Sequence, residues 1–178
     1  MIESDLDRKL RALREQFDQS FRMASSAGGV EHLDFLAIRV AGDPYAVRLA
    51  EVASLQVDRR LVPVPSLLPE LLGIAGFRGT LTPVYDLRAL LGYSAGDALK
   101  WLVVVHWPTP IAFAFDDFDA HLRASTDRVS LALATGETSA AVQGAVHDGN
   151  SALPLLHLPS LVEGIAQRIK ALGLSQER

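Results

Sequence analysis

The feature that most constrains how this chain can fold is an internal repeat. The segment GIAGFRGTLTPVYDLRALL, beginning at Gly73, aligns without a gap on GAVHDGNSALPLLHLPSLV, beginning at Gly144, at a constant offset of 71 residues. Gly73 meets Gly144, Pro83 meets Pro154, Leu87 meets Leu158 and Leu90 meets Leu161. Earlier in the chain, LAIRVAGDPYAVRL from Leu36 aligns on LVVVHWPTPIAFAF from Leu102 at an offset of 66, with Pro44 on Pro110 and Ala46 on Ala112. The order of features is the same in both copies: hairpin, connecting strands, glycine turn, strand with proline, short helix. Each half has roughly 65 residues, a size at which a lone core is marginal, so a face shared between the halves would stabilise both. One cooperative unit with a pseudo-twofold relation is expected, and the groove where the halves meet is the natural place for a partner.

The local pattern within each half is that of short strands. From Leu33 the period changes to two, Leu33, Phe35, Ala37 and Arg39 alternating with Asp34, Leu36, Ile38 and Val40, and Gly42-Asp43-Pro44 turns the chain into a return strand from Tyr45 to Leu49. Val52–Val57 and Arg60–Val64 supply further extended candidates, with Pro63 and Pro65 as punctuation. Ser66–Leu72 has the composition of one or two helical turns with Ser66 as N-cap. Thr80–Tyr85 reads as a strand, after which Asp86 caps a short helix over Leu87–Leu91 that Gly92 ends. Frequent turns between short strands predict a mainly β architecture of small barrels.

Ahead of this region, Leu6, Leu10, Leu13, Phe17 and Phe21 recur in steps of three or four between charges of both signs. An amphipathic helix over 1–24 is expected, joined by a flexible linker over 25–31 to a domain over 32–163, with a C-terminal helix or tail over 164–178. Within the domain the halves run approximately 32–98 and 99–163, with intertwining left open. Packing of the N-terminal helix on a barrel is favoured over self-association through its apolar stripe.

Composition excludes several classes of function. The formal charge is −4 and no stretch gathers enough Lys and Arg to neutralise a row of phosphates, so nucleic acid is not an expected partner. There are no cysteines, which removes thiolate metal sites and cysteine nucleophiles and fits a reducing compartment such as the cytoplasm. The acidic N-terminus is unlike a secretion signal, and apolar runs such as Trp101–Val105 fall far short of the ~20 residues of a membrane span.

Four constellations invite a chemical reading. Asp116, Asp117, Asp119 and His121 could form an oxygen-rich metal site, the basis of a carboxylate-dependent metalloenzyme, but the alternation of a strand splits Asp116 from the others; a charged, solvated strand edge is the competing reading. No two of the histidines His32, His106, His121, His147 and His157 stand at the helical spacing of a zinc pair, and His157, at the repeat position of Asp86, suits an N-cap. The glycines Gly73, Gly76 and Gly79 lack the lysine and long helix of a phosphate loop and suit a tight barrel turn. Arg78 is the lone cation between Leu71 and Leu81. It is either a surface arginine or one held by the glycine turn, where it could pin carbonyls or a carboxylate or reach a partner. No metal, cofactor or catalytic residue is assigned.

The segment from Gly73 to Gly92 resembles the signature of the CheW-like family: Gly73, Arg78, Gly79, Pro83, Val84, Asp86 and Leu87 all fit. The opening FLAIRVAGDPYAV from Phe35 and the closing segment with Gly144 and Pro154 are similar to the family's as well, and the resemblance spans roughly Leu33 to Val162. It implies two five-stranded barrels of the Src-homology-3 type and no catalysis. It also implies an adaptor role in a chemosensory array, bridging the cytoplasmic tip of methyl-accepting chemoreceptors to the regulatory domain of a CheA-type histidine kinase. Membrane proximity would then come only through recruitment to the receptor array. The protein-binding residues so implied are Val52, Ser54, Leu55, Gly73, Gly76, Phe77, Arg78 and Gly79, while Pro83, Asp86, Leu87, Gly144 and Pro154 form the structural motif. Family members often carry a Glu-Ile pair after the third strand, associated with receptor binding and paired with the arginine, where this chain has Ser54-Leu55. Glu51 stands three residues earlier, an odd shift that on a strand turns it to the opposite face. Gly76 and Phe77 also depart from the family's pattern before Arg-Gly. A divergent adaptor with altered receptor contacts is expected, and the alternative is a regulatory β module acting on another client protein or a small ligand.

Overall fold

The computed structural model describes residues 31–94, 99–105, 108–131, 141–149 and 151–176. The chain divides into two units, Met1–Glu31 and His32–Arg178. The expected helix over 1–24 and all of the linker except Glu31 lie outside the described residues, so the second unit alone is described.

Among the described residues eleven strands and two α-helices follow in chain order: β1 His32–Val40, β2 Asp43–Arg48, β3 Val52–Val57, β4 Leu71–Phe77, β5 Thr80–Asp86, α1 Leu87–Leu90, β6 Trp101–Val105, β7 Ile111–Phe115, β8 Asp117–Ser125, β9 Val129–Leu131, β10 Val142–Asp148, β11 Ser151–Leu156 and α2 Leu158–Gln176. They make a six-stranded sheet, in the order β8-β1-β2-β11-β10-β9, and a five-stranded sheet, in the order β3-β6-β7-β5-β4. The halves of the sequence and the sheets do not coincide. The β1–β2 hairpin of the first half lies among strands of the second, and its repeat mate β6–β7 lies among strands of the first.

Strand register carries both repeat offsets. In the five-stranded sheet β5 runs parallel to β7 with Val84 beside Ala112 and Tyr85 beside Phe113. In the six-stranded sheet β11 runs parallel to β2 with Leu155 beside Ala46 and Leu156 beside Val47. Gly73 and Gly144 each follow a register shift, and each lies against a neighbouring carbonyl. A Cβ on Gly73 would stand 2.3 Å from the Val62 oxygen, and one on Gly144 would stand 1.9 Å from the Ser130 oxygen. No side chain fits there, which is why both copies carry glycine.

Residues of one strand alternate between two cores. In β7, Ala112 and Ala114 face a cluster with Ala75, Phe77, Val84, Leu102 and Val104 that belongs to the five-stranded sheet alone. Phe113 and Phe115 point the other way, into a larger cluster that also takes Ile38, Val47, Leu156, Leu158 and Ile165 from the other sheet and α2. Small residues on one face and aromatic ones on the other fit a tight inner space and a broad shared one. Both phenylalanines are fully buried, contributing about 2–3 kcal/mol each. The six-stranded sheet has its own cluster at matching positions, with Ala46, Val146 and Leu155.

Three local expectations are revised. Arg60–Val64 contributes only a single bridge, Val62 to Ile74, because its prolines cannot donate to a ladder. The helix expected over Ser66–Leu72 is absent: Ser66 Oγ does accept from the Leu68 amide at 2.9 Å, but Leu71 and Leu72 are drawn into β4. The C-terminal helix begins at Leu158 rather than 164. Its mate α1 ends at Leu90, with Gly92 at φ +84° just beyond its C-cap, whereas Glu163 stands at the repeat position of Gly92 and lets α2 continue.

Candidate functional site

The β4–β5 hairpin turns on Arg78-Gly79, with φ of +47° and +82°, the two left-handed residues of a tight hairpin. At the repeat position of Arg78 the β10–β11 hairpin has Gly149, with φ of +59°. Glycine adopts this conformation freely, whereas an arginine there costs on the order of 1 kcal/mol. The Arg78 side chain is exposed, and among the described residues it makes no hydrogen bond or ion pair. Among the described residues Arg78 therefore pins neither a carbonyl nor a carboxylate, which leaves a surface arginine or one that reaches a partner.

Beside this turn lies a groove of about 370 Å³, lined by β3, the β4–β5 hairpin, β6 and Pro110. Ser54 and Gln56 line it from β3, Phe77 and Arg78 from the turn, Thr80 and Thr82 from β5, Val104 from β6, and Arg59 joins them. The groove thus belongs to one sheet, while the space between the sheets holds the shared apolar core. Ser54, Phe77 and Arg78, chosen from sequence, come together here. Val52 and Leu55 do not: alternation along β3 turns Leu55 toward the shared core, and the register shift between Val52 and Ser54 brings Val52 to the same side. Gly73 serves the close approach to Val62, and Gly76 and Gly79 are exposed on the hairpin. Asp86 caps α1, its Oδ1 accepting from the Arg88 amide at 2.8 Å, and Leu87 is buried beneath it. Pro83 and Pro154 sit opposite Ile74 and Ala145 in matching registers.

A family model described as "CheW-like domain" matches residues 34–166. The chain belongs to the CheW-like domain family. A curated relative, the chemotaxis protein CheW of Bacillus subtilis, is 26% identical over 85 residues, covering 46% of this chain and 54% of that protein. That alignment spans about half of the relative's length. Among solved structures, the scaffolding protein TtCheW from Thermoanaerobacter tengcongensis superposes with a TM-score of 0.66 at 15% identity, covering 71% of this chain and 90% of that one, a likeness of fold.

This CheW-like domain has residues at work that sequence reasoning undervalued. Where the chain crosses from one sheet to the other it carries an acidic residue, Glu51 just before β3 and Asp116 just before β8. Glu51 Oε2 accepts from the Leu158 amide at the start of α2, at 2.9 Å, with His157 Nε2 3.9 Å from its other oxygen. Burial pushes the Glu51 carboxyl above its usual value, against the pull of the Leu158 amide and His157. Its proximity to α2 shows why it does not stand in for the carboxylate absent at Ser54. Asp116 pairs with Arg88 of α1 and accepts from the Gly42 amide. His157 fulfils the capping role expected of it, its Nδ1 accepting from the Ser160 amide at 3.3 Å. The missed signal was positional: each acid stands at a sheet crossing, and only the exchange of hairpins makes these places crossings.

The acidic run does not converge. Asp119 pairs with Arg39 and His121 with Asp34, both across to β1, while Asp117 accepts from the Phe118 amide. β8 is an edge strand, and its exposed Asp117, Asp119 and His121 give it a charged margin. Among the described residues no three His, Asp or Glu side chains are grouped to hold a metal ion. No helix among them is long and apolar enough to cross a membrane.

Proposed function

We propose that this chain is a non-catalytic adaptor that couples the cytoplasmic tips of chemoreceptors to the regulatory domain of a CheA-type histidine kinase in a chemosensory array. Family membership supports the adaptor class. The observation that carries the choice of surface is Arg78, an exposed arginine held in a strained turn where the repeat mate has glycine. Strain kept at an exposed position, with no internal partner among the described residues, points to an external one. The two curled sheets are read as small barrels. Binding proceeds through the β4–β5 hairpin and the groove beside it, with Ser54 in place of a glutamate marking altered receptor contacts. The protein works in the cytoplasm, brought to the membrane by the receptors it binds.

Co-sedimentation of the full chain with receptor-tip and kinase fragments tests this reading. Arg78→Ala should weaken capture by about tenfold, the scale of one lost charge-assisted contact, and leave the melting temperature unchanged. Capture unaffected by the substitution, or no capture of either fragment, would contradict it.

A further inference from the structure

Thr82 is fully buried, and its hydroxyl is without a hydrogen-bond partner among the described residues. It is also one of the residues lining the groove beside Arg78. A buried hydroxyl left unpaired is destabilising, and native chains rarely keep one without a use for it. The repeat offers an internal control. The position matching Thr82 is Leu153, which packs into the apolar cluster of the other sheet, and the position matching Arg78 is Gly149. One hairpin end therefore has a leucine packed where the other has Thr82, and an aspartate and a glycine where the other has Phe77 and Arg78. The other borders a groove, and the buried Thr82 hydroxyl at its wall has no partner among the described residues.

The charge around that opening has one sign. The lining includes Arg59 and Arg78 and no aspartate or glutamate. Arg59 is held in place by Gln56, whose Oε1 accepts from its Nε at 3.1 Å and from an Nη at 2.7 Å, leaving its remaining donors free to turn toward an anion. Ser54 and Thr80 add hydroxyls, and Phe77 and Val104 give an apolar wall. Guanidinium donors at the rim, a hydroxyl donor at a buried position and an apolar wall suit a carboxylate on a short aliphatic stem.

We propose that the groove receives the side chain of an aspartate or glutamate presented by a partner polypeptide, bound by Arg78 and Arg59 and donated to by the Thr82 hydroxyl. The proposal rests on the adaptor reading for its source of the carboxylate. The partner supplies the negative charge that the lining lacks, so docking is sensitive to the charge of a single partner residue.

The test uses the full chain and a probe whose binding does not depend on any array component. N-acetyl-glutamate N-methylamide is titrated while backbone amide resonances are followed, alongside its neutral glutamine counterpart and sodium acetate. Saturable shifts at Ser54, Arg78, Gly79 and Thr82 are expected with the glutamate probe, with the glutamine probe weaker by about tenfold. Thr82→Val should weaken the glutamate probe by about threefold while raising the melting temperature, because it removes an unpaired polar atom without changing side-chain volume. A hydroxyl with a purely structural role would give the reverse, a lower melting temperature with unchanged binding. No saturable shift, equal response to the glutamine probe, or that reverse pattern would overturn the proposal. Acetate binding as tightly as the glutamate probe would overturn it in favour of a free small-anion site. A chain that binds the probe but captures neither receptor nor kinase fragments would instead overturn the adaptor reading alone.

Discussion

The β4–β5 and β10–β11 hairpins occupy equivalent places in the two sheets and share a skeleton, yet they end differently. Both carry a glycine pressed against a carbonyl, both place a proline opposite a small or branched residue, and both feed a helix that starts at a buried leucine. At their tips, Phe77, Arg78 and Thr82 of the first stand where the second has Asp148, Gly149 and Leu153. The shared positions are those where packing leaves no choice. At the differing positions the first hairpin keeps a strained arginine and, among the described residues, an unpaired hydroxyl, while the second keeps neither. The repeat thus separates the positions that hold the fold from those that the proposed docking uses.

The largest effect is expected where the halves are alike. Gly144→Ala should destabilise the chain by about 3 kcal/mol or more in urea denaturation, and Gly73→Ala somewhat less, because the overlap at Gly144 is deeper. Near-neutral behaviour at either glycine would break the equivalence of the two close approaches.

The two sheet crossings sharpen the comparison. Arg88→Ala leaves Asp116 without its cation at a site where both side chains are mostly shielded from water, and a loss of about 2 kcal/mol is expected from thermal or urea unfolding. Glu51 acts through a helix amide and a histidine instead, so its signature is pH dependence. Its carboxyl is raised from the usual 4.5 by burial, and the stability tied to its protonated form is present below that value and lost as pH rises through the raised one. Glu51→Gln cannot ionise, so stability measured across that interval should decline less steeply with rising pH than in the parent. This is the smallest of these effects, since Asp86, also raised by burial, retains part of the slope.

Much of the architecture was legible in the sequence because duplication wrote it twice. The offsets of 71 and 66 residues reappear as the parallel registers of Val84 beside Ala112 and of Leu155 beside Ala46. The exchange of hairpins was not legible, because strand pairing between halves and within halves satisfies the same period-two pattern. For the same reason Glu51 and Asp116 could not be recognised as crossing residues. Ser54, Phe77 and Arg78 were legible as a group through resemblance, whereas Leu55 is turned to the other face by strand alternation and Val52 by a register shift that no sequence pattern announces. Thr82 was invisible as a site residue, since an unpaired hydroxyl is a property of its surroundings rather than of its neighbours in the chain.

The absence of native cysteines allows the comparison to be tested with one label at a time. Thr80 borders the groove, and Ser151 is its exposed repeat mate on the other hairpin. Thiol labelling of Thr80→Cys and Ser151→Cys, with and without assembled receptor and kinase fragments, measures which end is covered. Strong protection at position 80 and little at 151 are expected; equal protection at both, or protection at 151 alone, would contradict docking at the β4–β5 hairpin.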